Sequence, residues 1–336
     1  MMSLGAGLRP ASGSEAPADL PMPEEQPIAD QGSVARAIEA LERAVVVAET
    51  GAADRPILVA GPVDWKSAAS RALTDVRSRL DRVMLAKDPE GGLDALLASG
   101  ALDVLLPEVK NLVGFGDGEW RHKDVWKHTK QVVRQAVPRL EVRWAALLHD
   151  VGKVTTRSIS PEGEVHFFGH AEVGARMFDK MTRRLPLFVG DTSLESAVRF
   201  LILHHLRANQ YERDWSDSAV RRFAREMGGH LDDLLCLSRA DITTKRPEKK
   251  KRGLEQISEL ASRISTLAEE DSRIPPLPSG IGDSLMKAFG LPPSRQVGDL
   301  KRSLEAAVEA GEIAPHLESE AYVQFLSENR ARFGLP

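Results

Sequence analysis

His128 lies between Val125 and Val132 at the three-, four- and seven-residue spacings of one helical face, so its imidazole points toward apolar neighbours. His149 follows Ala145 by four residues, and Asp150 closes the same run, "EVRWAALLHD". His170 shares a face with Gly174, Met177 and Met181; His204 and His205 follow Leu201 by three and four; Asp241 lies on the face of Leu234 and Ser238. Any one of these reads as a hydrogen-bonded core histidine or a helix-capping aspartate. Together they form a set of imidazoles and carboxylates on the inner faces of one bundle, which is costly to bury without a compensating cation. A divalent metal uses this mixture of ligands, and the imidazole share suits Mn, Fe, Co, Ni or Zn better than Mg or Ca. Adjacent helical positions diverge by about 100°, so His204 and His205 cannot aim at one ion equally, and the spacing leaves both open.

The elements that must position these residues are helices. From Trp65 onward segment after segment repeats apolar residues at spacings of three and four, with Pro and Gly at the joints. Residues 1–31, rich in Pro, Ala, Gly and acidic residues, are expected to be a disordered tail. Residues 32–66 read as an amphipathic helix, with Val34, Ile38, Leu41 and Val45 on one face, followed by the apolar run "RPILVAG" in a linker. A helical neck over 67–118, a metal-binding domain over 119–253 and a C-terminal helical region over 254–336 complete an all-α organisation. The stretch "KRPEKKKRG" is read as a charged connection before a helix near 253–270, and further helices are expected near 282–289, 297–310 and 319–333.

Among 336 residues, 42% are hydrophobic and 28% charged, and the formal net charge is -4, so a wholesale electrostatic attraction to nucleic acid is excluded while a local basic patch is not. The single cysteine, Cys236, excludes an intrachain disulfide and suits a reducing compartment. No run approaches the roughly 18 apolar residues of a membrane span, and the N-terminus has neither a basic nor an apolar leader segment. A cytoplasmic location without a membrane partner is expected.

The order His128, His149-Asp150, Asp241, with "HDVGK" in the middle, resembles the HD-domain superfamily of metal-dependent phosphohydrolases. The segments "DPEGGLDALLASGALDVLLPEV", "HKDVWKHT", "RWAALLHDVGKVTTR", "FFGHAEVGA", "DSAVRRFARE" and "RADITTKRPEKKKR" narrow the likeness. They resemble the C-terminal HD region of bacterial CCA-adding tRNA nucleotidyltransferases and their poly(A) polymerase relatives, over residues 68–313. Residues 1–66 hold neither the Gly-Gly or Gly-Ser turn followed by Arg-Asp nor the Asp-x-Asp of that family's polymerase head, so the chain is expected to act as an HD helical bundle without nucleotide addition.

The resemblance implies that His128, His149, Asp150 and Asp241 hold a first metal, that Asp150 bridges to a second, and that His170 and His204 serve the second, with His205 a competing choice. It implies one or two divalent ions, drawn from Mn, Ni, Co, Fe or Mg, and hydrolysis of a phosphomonoester or phosphodiester by metal-activated hydroxide. Lys153, in "HDVGK", is placed to meet a substrate phosphate, and Arg207 offers a planar fork for another phosphoryl oxygen. Lys245, Arg246, Lys249, Lys250, Lys251 and Arg252 form a basic run just beyond Asp241, read either as a solvated loop or as a guide for an RNA end. The expected substrate is a nucleotide or an RNA-terminal phosphate, including 2',3'-cyclic phosphates. The alternatives are a noncatalytic tRNA- or RNA-binding module and one subunit of a split tRNA nucleotidyltransferase. The five tryptophans, Trp65, Trp120, Trp126, Trp144 and Trp215, are read as core or rim anchors.

Overall fold

The run Leu140–Leu148 has Val142, Arg143, Trp144, Ala145, Ala146, Leu147 and Leu148 all buried, and a helix buried on nearly every side belongs at the centre of its compact unit. Other helices of the same compact unit pack around it. In the computed structural model, which describes residues 28–51, 59, 61–116, 124–272 and 275–335, the helices run in the order given below. Residues 1–27 of the expected tail, most of the run "RPILVAG" and Trp120 lie outside the described residues.

The helices are α1 (Ile28–Thr50), α2 (Trp65–Arg71), α3 (Leu73–Leu85), α4 (Pro89–Ala98), α5 (Ala101–Leu105), α6 (Pro107–Lys110), α7 (Val125–Gln135), α8 (Leu140–Leu148) and α9 (Lys153–Thr156). A small antiparallel hairpin follows, β1 (Ser158–Ile159) and β2 (Val165–His166), with Ser158 opposite His166 and Ile159 opposite Val165. Then come α10 (His170–Arg184), α11 (Thr192–His204), α12 (Asp217–Met227), α13 (Leu231–Ala240), α14 (Pro247–Ser272), α15 (Ile281–Phe289), α16 (Arg295–Glu309) and α17 (Ser319–Glu328). The fold is all-α apart from the hairpin, whose strands of two residues each are too short to show an alternating pattern in sequence.

The helix starts have a common local cause. Asp64, Asp88, Asp124 and Asp191 each cap a helix, their carboxylates accepting the backbone N–H of Ser67, Gly91, Lys127 and Leu194 at 3.0 to 3.2 Å. Each such cap stabilises its helix by about 1 kcal/mol. Helix α14 begins at Pro247, six residues before the position expected from sequence, so the basic run from Lys249 to Arg252 occupies its opening turns and is not a connecting loop. Proline fits a first helical turn, and Lys, Glu and Arg are good helix formers.

The chain divides into two compact units, Met1–Tyr211 with Met227–Ile257, and Glu212–Glu226 with Ser258–Pro336. In the first, α3, α7, α11 and α13 pack around α8. Helix α1 docks on α3 and α4 through Ala37, Ala40, Leu41, Ala44, Val45 and Ala48, a stripe rotated from the expected one because Val34 and Ile38 are only half-buried. The approach to α4 is close: a Cβ on Gly92 would stand 2.7 Å from that of Ala48. Trp65, Trp126 and Trp144 are buried, and the Trp144 indole N–H donates to Asp81 Oδ1 at 2.7 Å. In the second unit Leu277, Ile281, Leu285, Leu300, Leu304 and Leu326 pack with Tyr322, whose hydroxyl lies 2.9 Å from Pro276 O and 3.0 Å from Ala314 O. Trp215 packs its ring on Phe223 in that unit.

Candidate metal centre

Helix α8 ends at Leu148, and the two residues that follow are His149 and Asp150, each only 1% exposed. Four more side chains converge on them. His128 comes from α7, His170 from the first position of α10, His205 from the residue that closes α11, and Asp241 from the residue that closes α13. Four of the six, His149, Asp150, His205 and Asp241, thus sit just past a helix C-terminus, and His149, His205 and Asp241 keep helical dihedrals there.

Two triads result, His128–His149–Asp241 and Asp150–His170–His205, and within each the ligand-type atoms lie within 4.8 Å of one another. Asp150 serves both. Its Oδ2 is 3.4 Å from His128 Nε2 and 3.2 Å from His149 Nε2, while its Oδ1 is 3.6 Å from His170 Nε2. Asp241 Oδ1 is 3.0 Å from His128 Nε2 and 3.6 Å from His149 Nε2.

The backbone fixes how the imidazoles face. His149 Nδ1 lies 2.8 Å from Ala146 O, His170 Nδ1 2.8 Å from Phe167 O and His205 Nδ1 2.8 Å from Ile202 O, in each case the carbonyl three residues earlier. A carbonyl only accepts, so each Nδ1 must carry its proton, and in the neutral ring Nε2 is then a bare lone pair. His128 Nδ1 meets the hydroxyl of Thr243 at 2.8 Å, a supporting contact that nothing in the pattern of apolar residues announces. All four rings therefore turn Nε2 toward the centre, the arrangement that outer partners impose on metal-binding histidines.

Charge follows from this crowding. Burial by itself would lower the pKa of His149, but the carboxylates of Asp150 and Asp241 outweigh it and raise the group to about 10. Burial, aided by the neighbouring His149, pushes His205 down to about 4 and also lowers His170. Burial opposes ionisation of Asp150 and Asp241, yet the surrounding imidazoles hold both well below the usual carboxylate range.

A divalent ion fits these residues. His170 Nε2 and His205 Nε2 are 3.1 Å apart, and in the neutral tautomers their carbonyl partners dictate, both present lone pairs to each other with no proton between. His149 Nε2 and Asp150 Oδ1 are buried without a hydrogen bond. Ligand atoms bonded to one ion at about 2.0 to 2.2 Å stand roughly 3.0 to 3.5 Å apart, the range in which most of these contacts fall. A cation between such atoms removes the repulsion and satisfies the orphaned pair.

Lys153 Nζ donates to Asp150 Oδ2 at 2.6 Å and lies 5.7 Å from the centre of the Phe167 ring, so it stands at the edge of the centre. The turn that carries it is tight: a Cβ on Gly152 would fall 2.1 Å from His170 O, so the "HDVGK" glycine lets α9 and α10 meet backbone to backbone. His204 is not brought into the centre. Its ring packs on Phe200 at 4.3 Å, and His205 occupies the place the resemblance had given to His204, because His205 keeps helical dihedrals and continues the buried face of Val198, Leu201 and Ile202. Arg207 opens the 3-10 turn Ala208–Gln210 and is half-buried. Lys245, Arg246, Lys249, Lys251 and Arg252 are exposed, whereas Lys250 is half-buried with its ammonium 3.5 Å from Gln135 Oε1.

Among the described residues no helix is long and apolar enough to cross a membrane. The HD domain family matches residues 125–246, which hold all six converging side chains. The A-adding tRNA nucleotidyltransferase of Deinococcus radiodurans is 32% identical over 260 residues, covering 75% of this chain and 58% of that protein. The CC-adding tRNA nucleotidyltransferase of Thermus thermophilus is 32% identical over 259 residues, covering 74% of this chain and 56% of that one. A multifunctional CCA protein of Ectopseudomonas mendocina is 36% identical over 120 residues, covering 33% and 28%. The chain thus spans little more than half the length of the first two relatives. Residues 125–246 are an HD domain, and the chain is related to the A-adding and CC-adding tRNA nucleotidyltransferases over a stretch that includes that domain.

Proposed function

We propose that this protein is a metal-dependent phosphohydrolase acting on nucleotides or RNA-terminal phosphates, 2',3'-cyclic phosphates included. The observation that carries the reading is the opposed pair of imidazole lone pairs, His170 Nε2 and His205 Nε2 at 3.1 Å, beside a carboxylate that offers one oxygen to each triad. His128, His149 and Asp241 would hold one ion, His170 and His205 a second, and Asp150 would bridge them. Ions bound there would supply an acidified water and neutralise charge on phosphoryl oxygens; Mn, Ni, Co and Fe suit the imidazole-rich set, and Mg is the oxygen-preferring alternative.

The chain's own groups do the rest. The carbonyls of Ala146, Phe167 and Ile202 hold the Nδ1 proton of three rings in place, so His170 and His205, whose pKa values are lowered, present Nε2 as a free lone pair, while His149 must first give up its Nε2 proton. Lys153, already beside Asp150, is the cation that meets the substrate phosphate, and Arg207 is a second candidate for a phosphoryl oxygen. A structural metal alone would need neither. The exposed cations of the α14 opening turns, Lys249, Lys251 and Arg252, with Lys245, Arg246 and the half-buried Lys250, are placed a short distance along the chain from Asp241 and would draw in a polyanion such as an RNA end.

The test is hydrolysis of bis-p-nitrophenyl phosphate and of 2',3'-cyclic nucleotides with Mn, Ni, Co or Mg, beside Asp150→Ala. Turnover that requires metal and is lost in the variant is expected; none in the unmutated protein overturns the reading. A second reading has its own support, because the similarity to the A-adding and CC-adding enzymes extends over about 260 residues, well beyond the HD domain. On it the chain is a tRNA-binding module or one part of a split nucleotidyltransferase. Nucleotide incorporation into tRNA only when a partner chain is added would favour it.

A further inference from the structure

Of the ten phenylalanines nine are buried or half-buried, and Phe168 alone is exposed, at 77%. A single exposed apolar side chain is ordinary. Phe168, however, has its ring stacked on that of His166, the centroids 4.9 Å apart and the planes within 14°. One face of the phenyl is thereby occupied, and a residue so exposed leaves the other to solvent.

The backbone around the pair is held from both sides. His166 lies in β2, paired with Ser158, and Ser160 N–H donates to Glu164 O at 2.8 Å to close the hairpin. On the far side Phe167 O accepts from both the backbone N–H and the Nδ1–H of His170, and Gly169, at φ +71°, turns the chain into α10. Phe168 precedes His170 by two residues, which span at most about 7 Å of backbone. Phe167 lies under the Lys153 ammonium, which itself contacts Asp150. Phe167, the chain neighbour of Phe168, thus flanks the edge of the centre at which Lys153 stands.

We propose that Phe168, backed by His166, is a stacking platform for the base of a nucleotide whose phosphate lies at the His/Asp centre. The proposal rests on the phosphohydrolase reading only for the position of that phosphate. Every base has a π face, so such a platform favours a nucleoside phosphate over a base-free phosphate without choosing among sequences. The platform explains why a large apolar ring stays in solvent beside a polar centre.

Calorimetric titration of the full chain with AMP and with ribose 5-phosphate, in the presence of a fixed divalent ion, measures the base contribution without requiring turnover. The unmutated protein is expected to bind AMP about 5- to 150-fold more tightly than ribose 5-phosphate. Phe168→Ala should erase that difference while leaving ribose 5-phosphate affinity unchanged, and Phe168→Trp should retain it. Circular dichroism melting would show that both variants fold, as the exposure of the side chain implies. Equal affinity for the two ligands, or a preference that survives Phe168→Ala, overturns the platform, as would a protein partner whose binding alone depends on Phe168. If both ligands bind equally and both are hydrolysed, the platform fails and the hydrolase reading stands; if neither binds, both fail.

Discussion

Removing the proton from His149 is the step that couples metal binding to pH. In the metal-free protein His149 Nε2 lies 3.2 Å from Asp150 Oδ2 and 3.6 Å from Asp241 Oδ1, and these carboxylates, outweighing burial, raise its pKa to about 10. At pH 7 the ring is protonated, and a proton occupies the position a cation would take. A metal ion must displace it. The cost of that displacement at pH 7 is about three pH units below the pKa, or about 4 kcal/mol, and the affinity should rise about tenfold for each pH unit between 7 and 9. Competition with a chromophoric chelator, corrected for the chelator's own protonation, gives that slope directly. A dissociation constant that does not change over this range would refute the assignment of His149 as a ligand.

The same groups set the stability of the chelated protein. The folded pKa of His149 exceeds the unfolded value of 6.5, so its contribution is fully present below pH 6.5 and is lost as pH rises through about 10. His205 acts oppositely. Burial, with His149 beside it, holds it at about 4, so as pH falls from 6.5 through 4 the unfolded chain takes up a proton that the folded chain refuses, and stability declines. Asp150 and Asp241, depressed in the folded state, add a loss only as pH falls below about 3.8. Between them the two histidines place the stability maximum of the chelated protein near pH 6.5, measurable as a melting temperature against pH. Saturating metal should move that maximum upward, because the metal-bound ring carries no Nε2 proton to lose.

Elemental analysis should separate the adjacent histidines: His205→Ala is expected to lower the bound metal stoichiometry, whereas His204→Ala, whose ring packs on Phe200, should leave it unchanged. Gly152→Ala places a methyl 2.1 Å from His170 O, and the forced shift should destabilise the fold by about 3 kcal/mol or more and weaken metal retention; an unchanged melting temperature would refute it. Arg143, 6% exposed, donates to the carbonyls of Met84, Ala86 and Ala136 at the ends of α3 and α7. Arg143→Met should strand those three acceptors and cost about 3 kcal/mol or more, read from the shift of the urea unfolding midpoint.

The sequence carries the parts of this centre that depend on helical period and conceals the parts that depend on which neighbours are buried and on the backbone. Inward faces follow from spacing, so His128, His149, Asp150, His170 and Asp241 are all marked in the sequence, and the buried α8 is announced by its apolar run Trp144–Leu148. His204 and His205 differ by one residue, about 100° on a continuing helix. His205 keeps helical dihedrals and follows buried Val198, Leu201 and Ile202 by seven, four and three, whereas His204 packs on Phe200, so the period favours His205 only once Ile202 and Val198 are known to be buried. The opening of α14 is obscured for a related reason: a dense charge run resembles a solvated loop, although its residues are good helix formers behind a proline. The supports of the imidazoles are hidden more deeply. The carbonyls of Ala146, Phe167 and Ile202 belong to the backbone, which every residue type supplies, so no side-chain pattern can reveal that they hold Nδ1 protonated. Those three bonds orient the imidazoles as a metal site would require. With Nδ1–H held by the Phe167 carbonyl, a neutral His170 cannot donate to His205, so the 3.1 Å contact calls for a positive charge between the rings, which an added proton or a metal ion would supply, and burial, which lowers both pKa values, disfavours the proton.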